Sequence, residues 1–290
     1  MKAQQYEAPD SIDKAVALLA AAKGQARVLA GGTDLLIQMR VGRLSADTIV
    51  DIKCIAELRK ISREDGGFKI GAAVSGAEAD EHAELVAHWP GVVEGWELIG
   101  STQIQGRATL AGNLCNASPA ADGVPALIAA GAQVTIVGPN GSRKVPVEAI
   151  PTGPGRNSLA KGEFVTYFHL PKRPPHSSDA YLRLIPRTEM DIAVVGCAVN
   201  LTLDAGGTCT AASVALGAVA PTVVKVPDGA KALIGTKLDA AALDKLAAAA
   251  SAACKPIDDK RGTVVYRTKI AGVLARRAAL IAYERARKRA

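Results

Sequence analysis

The chain has 290 residues, 49% apolar and 22% charged, a globular composition that excludes wholesale disorder and leaves room for one large domain or two ordinary ones. Its formal charge of +7 is local: from Lys255 to Ala290 eleven Lys and Arg face Asp258, Asp259 and Glu284, a net of +8 on a body of −1. Aromatics at 3% leave no base-stacking platform, which argues against a nucleic-acid partner. No run of 18 uncharged apolar residues predicts a transmembrane helix, and Met1 to Tyr6 lacks the apolar stretch of a secretory signal. Cys54, Cys115, Cys197, Cys209 and Cys254 are odd in number, scattered and without CxxC spacing. They point away from a disulfide scaffold or a metal site and toward a reducing cytoplasm.

In chain order, Pro9-Asp10-Ser11 offers a cap for a helix with apolar residues at Ile12, Val16 and Leu19, ended by Lys23-Gly24. A strand from Ala26 to Ala30 leads through Gly31-Gly32-Thr33-Asp34 into a helix, Leu35 to Arg40, and a strand over 48–52. A further strand is expected over 66–74. Glu78 to Leu98 reads as mostly helical, interrupted at Pro90-Gly91. Thr102 to Asp122 reads as a loop without secondary structure of its own, ahead of an apolar helix from Val124 to Ala130. Gln133 to Val137 alternates as a strand, turns at Pro139-Asn140-Gly141-Ser142 and returns over 145–147; Glu163 to Leu170 is another strand. The stretch from Pro171 to Ser178 is the most linker-like and places a domain boundary. Beyond it, strands are expected near 180–185, 192–203 and 209–217, then an alanine-rich helix over 239–253 and a long helix from about Thr263, an α+β order.

Two segments carry candidate chemistry. In Ala30 to Leu36, adjacent glycines let backbone approach a ligand, N–H groups at a helix start favour an anion, and Thr33 adds a hydroxyl. An empty strand-to-helix turn fits the same residues equally well, and the segment is neither GxGxxG nor GxxxxGK[ST]. The second runs from Gln103 to Asn113 and on to Asp122. It is rich in small and hydrogen-bonding residues, among them Thr109, Gly112, Asn113, Asn116, Ser118 and Asp122. Long loops of this kind are uncommon unless they bind something, and two of them suit a ligand with a long polar spine such as a dinucleotide diphosphate.

Together these segments resemble the FAD-binding medium subunit, or domain, of the molybdenum hydroxylases, the xanthine dehydrogenase and carbon monoxide dehydrogenase group. Ala30 to Leu36 matches the family's AGGT/H-S/D/N-L-L. Gln103 to Asn113 with Asp122 matches QIR-N-x-A/G-T-I/L-GGN and its small-residue loop, except that Gln105 replaces Arg, Gly106 replaces Asn and Ala111 replaces the first Gly. The likeness continues through Arg187 to Val195 (MDIAVV), Gly217 to Thr222 (GxxAPT) and Asp259 to Arg277, where Gly262 to Arg267 lacks the acid of the usual RASAEYR.

The resemblance implies an α+β fold: a two-subdomain FAD-binding module of the vanillyl-alcohol-oxidase (PCMH) type over 1–175, with subdomains of about 1–55 and 56–175. A smaller α+β C-terminal domain of the CO-dehydrogenase-flavoprotein type would follow over 176–290. It implies that Ala30, Gly31, Gly32, Thr33 and Asp34, with Thr109, Ala111, Gly112 and Asn113, hold the FAD pyrophosphate largely through backbone N–H groups. Leu29, Leu35, Thr102 and Ser118 would lie beside them, Asp122 would reach the ribityl or adenosine side, and Ile99 and Arg183 would lie by the flavin. A methyl at Ala111 would require φ < 0 or displace the phosphate. The family role is electron transfer: from a molybdenum cofactor in a large subunit, through two [2Fe–2S] clusters in a small one, to this FAD and on to NAD, a quinone, oxygen or another acceptor. A cytoplasmic heterotrimer or its dimer is expected, with no catalytic residue or metal site on this chain.

Two alternatives are a self-sufficient FAD oxidase or dehydrogenase of the same fold, and a flavin- or nucleotide-binding scaffold. Against the first, no constellation of His, Tyr or Asp offers a substrate base. His82, His88, His169 and His176 show no ligand pairing, with His82 and His88 expected on a solvated helix, and Cys115 reads as a packing residue. Trp89 and Trp96 read as a core or interface anchor. In the last helix Ile270, Val273, Leu274, Leu280 and Ile281 form the expected buried stripe, leaving Arg276-Arg277 and Arg285 to Arg289 outward, either solvated or docking a partner subunit.

Overall fold

A computed structural model describes residues 5–289, so the expectation for the first residues falls on described positions only at Gln5 and Tyr6. The first unit is a three-stranded parallel sheet of order β1-β3-β2: β1 is Gln5–Glu7, β2 Ala26–Leu29 and β3 Thr48–Asp51. Helix α1 (Ile12–Ala21) starts at the expected Ser11 cap, and α2 (Leu35–Arg40) follows the glycine loop. All four residues of the central strand β3 are buried, as a strand flanked on both sides requires. Parallel strands end on one edge, and there β2 opens into residues 30–34, the edge at which such sheets bind ligands.

The second unit is an antiparallel sheet of order β4-β5-β10-β6-β7. It contains β4 (Ile61–Glu64), β5 (Gly67–Gly71), β6 (Gln133–Gly138), β7 (Gly141–Pro146) and β10 (Phe164–Leu170), with a small hairpin β8–β9 (Pro151–Gly153, Arg156–Asn157) before the last. Phe68, Ile70, Val134, Ile136, Phe164 and Phe168 fill its core, in one buried cluster with residues of α3 (Gly76–Asp80), α4 (Ala83–His88) and α5 (Pro90–Glu97). Pro90 opens α5 at its first turn, where its missing N–H costs nothing, and does not simply interrupt a helix. The expected loop over 102–122 is corrected: it contains α6 (Thr102–Gln105) and α7 (Leu110–Cys115), the latter capped by Thr109 Oγ1 on the Gly112 N–H at 3.0 Å and anchored by buried Leu110, Ala111 and Leu114. Helix α8 (Gly123–Ala129) is entirely buried.

The C-terminal unit is a four-stranded antiparallel sheet, β11 (Ser177–Leu184), β12 (Val195–Leu203), β13 (Cys209–Gly217) and β14 (Val224–Lys225), covered by α9 (Pro227–Leu233), α10 (Ala240–Ala252) and α11 (Val264–Arg287). The strand expected from 192 begins at Val195, because Met190 takes a positive φ and buried Arg267 holds the Val194 carbonyl at 2.6 Å. Arg267 also pairs with Asp259, and Thr263 caps Tyr266, so α11 starts securely without the family acid. The buried face of α11 differs from the expected stripe. It is made of Ala271, Leu274, Ala275, Ala278, Ala279, Ala282, Tyr283 and Ala286, while Leu280 is 42% exposed. Alanine lets the helix lie close on the sheet; a methyl on Gly272 would come within 2.9 Å of the Ala247 carbonyl of α10.

The segment expected as a linker is pinned. Arg173 lies over the Trp89 ring at 3.7 Å and pairs with Asp179 at 2.7 Å, both side chains only 4% exposed. Asp179 also accepts from the Val92 N–H at 3.1 Å. Onto this cluster comes the basic tail, whose outward reading is corrected at two positions. Arg285 binds the Asp179 carbonyl at 3.0 Å and pairs with Glu94; Arg289 binds the carbonyls of Ala87, His88 and Ser177. Ala87 and His88 close α4, where a cation offsets the helix dipole. Arg276 and Arg277 do face outward, Arg276 pairing with Asp244. A second seam joins Asp122 to Tyr181 at 2.8 Å and Arg183 at 2.7 Å, and Arg183 also holds the Leu98 carbonyl at 2.7 Å.

Burial opposes both partners of the first pair, raising the pKa of Asp179 and lowering that of Arg173 to about 10, so a lone survivor is costly. Asp179→Ala should therefore lower stability by about 3–5 kcal/mol, read as a fall in the urea midpoint. At the second seam, burial pushes the Asp122 carboxyl up to about 6 against the opposing pull of Arg183 and Tyr181. The folded chain thus takes up a proton that the unfolded chain, at its ordinary 3.8, does not. That contribution to stability is complete below the ordinary value and is lost as pH rises through about 6. The stability gap between wild type and Asp122→Asn should accordingly be wider at about pH 5 than at about pH 7, measured by urea unfolding at both.

Candidate cofactor cleft

The two motif segments meet at the floor of one cleft of about 640 Å³. Their contact is backbone on backbone: a Cβ built on Gly31 would lie 1.9 Å from the Arg107 carbonyl oxygen, which no side chain permits. Gly32 follows with φ +79°, the left-handed region open to glycine, packed under Leu29 and Leu36. Among the described residues the N–H groups of Gly31, Gly32, Thr33, Asp34 and Leu35 donate to no protein acceptor, so a run of donors is left at the start of α2. Opposite, α7 presents Thr109 and its first turn. Ala111 lies inside this helix with no positive φ, so its methyl is unstrained where the motif has glycine.

Side chains hold the walls in register. Gln38 of α2 donates to Asn116 Oδ1 at 2.8 Å, and Asn157 of β9 donates to the Cys115 carbonyl at 2.9 Å. Asn113 Oδ1 accepts from the Gly123 N–H at 3.1 Å, fixing α7 against α8. Gln105, standing where the family motif has Arg, donates to the carbonyls of Glu97 at 2.5 Å and Ile99 at 2.7 Å, and so anchors the Ile99 end of the cleft.

Of the residues singled out in the sequence, Ala30, Gly31, Gly32, Thr33, Asp34, Leu35, Ile99, Thr109, Ala111, Gly112 and Asn113 line the cleft. Leu29 is buried in a small cluster with Ala46 and Ile49, and Thr102 is exposed at the start of α6. Ser118 Oγ accepts from the Ala120 N–H, while the Asp122 and Arg183 side chains are engaged with each other at the seam. These five lie off the cleft wall. Sequence reasoning missed Gln25, Arg27, Gln38, Leu44, Asn157 and the 159–165 segment, all of which line it. Arg27 is the most telling: a cation on the strand that feeds the loop, its Nε buried with no partner. The only signal for it was a charged residue in the short run before the glycines.

Chemically the cleft offers donors and shape. No His or Tyr lines it, and burial pushes the Cys115 thiol up to about 12, far from a thiolate at neutral pH. Among the described residues the Asp34 carboxyl on the cleft wall has no partner, and desolvation raises its pKa. Of the histidines, His82 caps α4 by accepting from the Leu85 N–H, and His169 sits between Glu64 at 2.6 Å and Thr135 at 2.7 Å on the sheet. Both Trp89 and Trp96 are buried. Among the described residues no group of three or more His, Cys, Asp or Glu could hold a metal ion, and no helix is long and apolar enough to cross a membrane.

Residues 2–173 match the family model described as the FAD binding domain in molybdopterin dehydrogenase, and residues 180–282 match the CO dehydrogenase flavoprotein C-terminal domain. The carbon monoxide dehydrogenase medium chain of Afipia carboxidovorans is 37% identical over 98% of this chain and 97% of its own. The xanthine dehydrogenase FAD-binding subunit of Escherichia coli O157:H7 is 37% identical over 69% of each chain. Among solved structures, reconstituted CO dehydrogenase from Oligotropha carboxidovorans superposes with a TM-score of 0.93 at 35% identity, covering 98% of both chains. With both domains matched in order and a 37% identical relative matched over nearly its whole length, the chain belongs to the family of FAD-binding subunits of the molybdopterin dehydrogenases.

Proposed function

We propose that the cleft holds FAD and that the chain is the flavoprotein component of a molybdenum-containing hydroxylase or dehydrogenase complex, an electron-transfer subunit inactive on the organic substrate by itself. The observation that carries this reading is the meeting of the two motif loops, with Gly31 against the Arg107 carbonyl and five consecutive unbonded N–H groups beside it. The residues fit the group. Unbonded donors from Gly31 to Leu35 suit the two phosphates, and Arg27, with a buried guanidinium nitrogen lacking a partner, supplies a cation in the same cleft. Ile99, held by Gln105, adds apolar surface to the same cleft.

When bound, FAD supplies the two-electron chemistry. The chain's own residues bind and orient it, with Ile99 and Phe164 among the apolar residues that line the cleft. No His or Tyr lines the cleft and burial pushes the Cys115 thiol up to about 12, which supports placing substrate oxidation on a partner and counts against a self-sufficient oxidase. The names of the relatives, medium chain and FAD-binding subunit, support partner chains, and the family resemblance makes these a small iron–sulfur and a large molybdenum-cofactor subunit, in a heterotrimer or its dimer. Five free cysteines support a cytoplasmic setting. The start of the C-terminal sheet at Ser177 supports a division into a FAD-binding module over 1–175 and a second domain over 176–290.

The isolated chain, reconstituted with FAD, should show bound-flavin absorbance, and it should pass electrons to an acceptor only when iron–sulfur and molybdenum subunits are added. A chain that takes up no flavin would overturn the proposal; substrate turnover by the isolated flavoprotein would favour the oxidase reading. Gly31→Ala forces the motif loops apart and should cut FAD affinity at least about tenfold, about 1.4 kcal/mol, while Gly112→Ala, whose methyl would meet only Thr109 Oγ1 at 3.1 Å, should cost less. Equilibrium titration of flavin fluorescence orders the two.

A further inference from the structure

Behind the first loop, away from the cleft, lies a chain of polar contacts. The Tyr6 hydroxyl donates to Asp51 Oδ2 at 2.6 Å. Lys53 Nζ lies 2.8 Å from both Asp51 carboxylate oxygens and donates to the Ala30 carbonyl at 2.9 Å. Asp51 is buried at the end of the central strand β3, and its Oδ1 also accepts from the Lys53 N–H at 2.9 Å. None of Tyr6, Asp51 and Lys53 lines the cleft, whereas Ala30 and Gly31 do.

We infer that Lys53, held by Asp51, is a positioning residue for the cofactor: it fixes the Ala30–Gly31 peptide so that the Gly31 N–H is turned toward the cleft. This rests on the reading of the cleft as the FAD site. The argument is geometric. A trans peptide is planar, with its C=O and N–H on opposite sides, and no cis bond is present among the described residues. Binding the Ala30 oxygen from behind therefore aims the Gly31 N–H to the front. A glycine peptide has little of its own to resist rotation, since Gly31 has no side chain and Gly32 sits at φ +79°. The Arg107 carbonyl limits where the Gly31 Cα can be; Lys53 limits how the peptide before it is turned. Asp51 is essential to the arrangement, because it prevents the ammonium from reaching into the cleft after an anionic ligand. Tyr6 completes the carboxylate's bonding from β1, so β1 and β3 both contribute to one peptide's orientation.

The test uses the full chain with FAD removed, in wild type, Lys53→Met and Lys53→Arg. Two quantities are measured: FAD affinity by flavin-fluorescence titration, and amide hydrogen exchange of the peptide spanning residues 28–36 without FAD. Lys53→Met should weaken FAD binding by about tenfold and speed exchange in that peptide, while exchange in β10 and β12 stays unchanged. Lys53→Arg, which can still reach a carbonyl and a carboxylate, should recover at least half of the lost affinity on a logarithmic scale. Lys53→Met binding FAD within twofold of wild type would overturn the inference, as would an Arg variant no better than Met. Should Lys53→Met fail to fold, Tyr6→Phe and Asp51→Asn carry the same expectation in milder form. Wild-type protein that bound no FAD would instead defeat the functional reading, and the exchange data alone would still decide whether Lys53 restrains the loop.

Discussion

The contact between the Gly31 Cα and the Arg107 carbonyl is the constraint on which the cleft depends. It brings a loop at the edge of a parallel sheet against a loop from an antiparallel one, 76 residues later in the chain, at a separation that admits hydrogen and nothing larger. Everything around it serves that approach. Thr109 caps α7 so that the helix begins where the loops touch, Asn113 ties α7 to the buried α8, and Gln38 bonds Asn116 across the gap. The first loop is held from behind by Lys53. Unbonded backbone N–H groups normally carry a cost when enclosed; here they are left in an open cleft, where a polyanion can take them up.

The second constraint is electrostatic. A +7 chain invites the thought of an acidic partner, yet two of the tail's arginines are occupied at home. Arg289 lies against the last carbonyls of α4, and Arg285 reaches Glu94 and the backbone of Asp179, beside the buried Arg173–Asp179 pair. Charges concentrated at one end of the sequence thereby fasten the C-terminal unit to the FAD-binding module. The same seam continues through Arg183, which holds the Leu98 carbonyl next to Ile99, so the far wall of the cleft is supported by the second domain. The second domain thus shapes the site although its own residues contribute nothing to the lining.

How much was legible follows from the range of each interaction. The β2–α2–β3 unit, the β6–β7 turn and the long last helix could be seen because capping, glycine and periodicity are local signals, whereas the three-residue β1 gave none. Helix α9 escaped because Pro227-Asp228-Gly229 reads as a turn, and α6 and α7 escaped because four to six residues give too little periodicity. The stripe chosen for α11 followed the large apolar residues, whereas close packing on a sheet favoured alanine, which hydrophobic patterning scarcely weighs. Arg27, the 159–165 segment and the Asp122–Arg183 pair were beyond local reasoning, since each is defined by a partner distant in sequence. Motif positions did locate the cleft, because a backbone contact as tight as that of Gly31 leaves the sequence no choice.

The kind of site this is follows from what its walls contain. Groups that move protons must be titratable near neutrality and within reach of the reacting atom. Here no histidine lines the cleft, the thiol of Cys115 is pushed up to about 12, and Glu163 is paired with Arg143. What remains is amide donors, Arg27, the Asp34 carboxyl and apolar surface, a set suited to fixing a large anion in place. Such a site gains from rigidity, because electron transfer rewards a fixed position more than a moving acid or base. The glycine contact, the lysine behind the loop and the double seam between domains all act to that end.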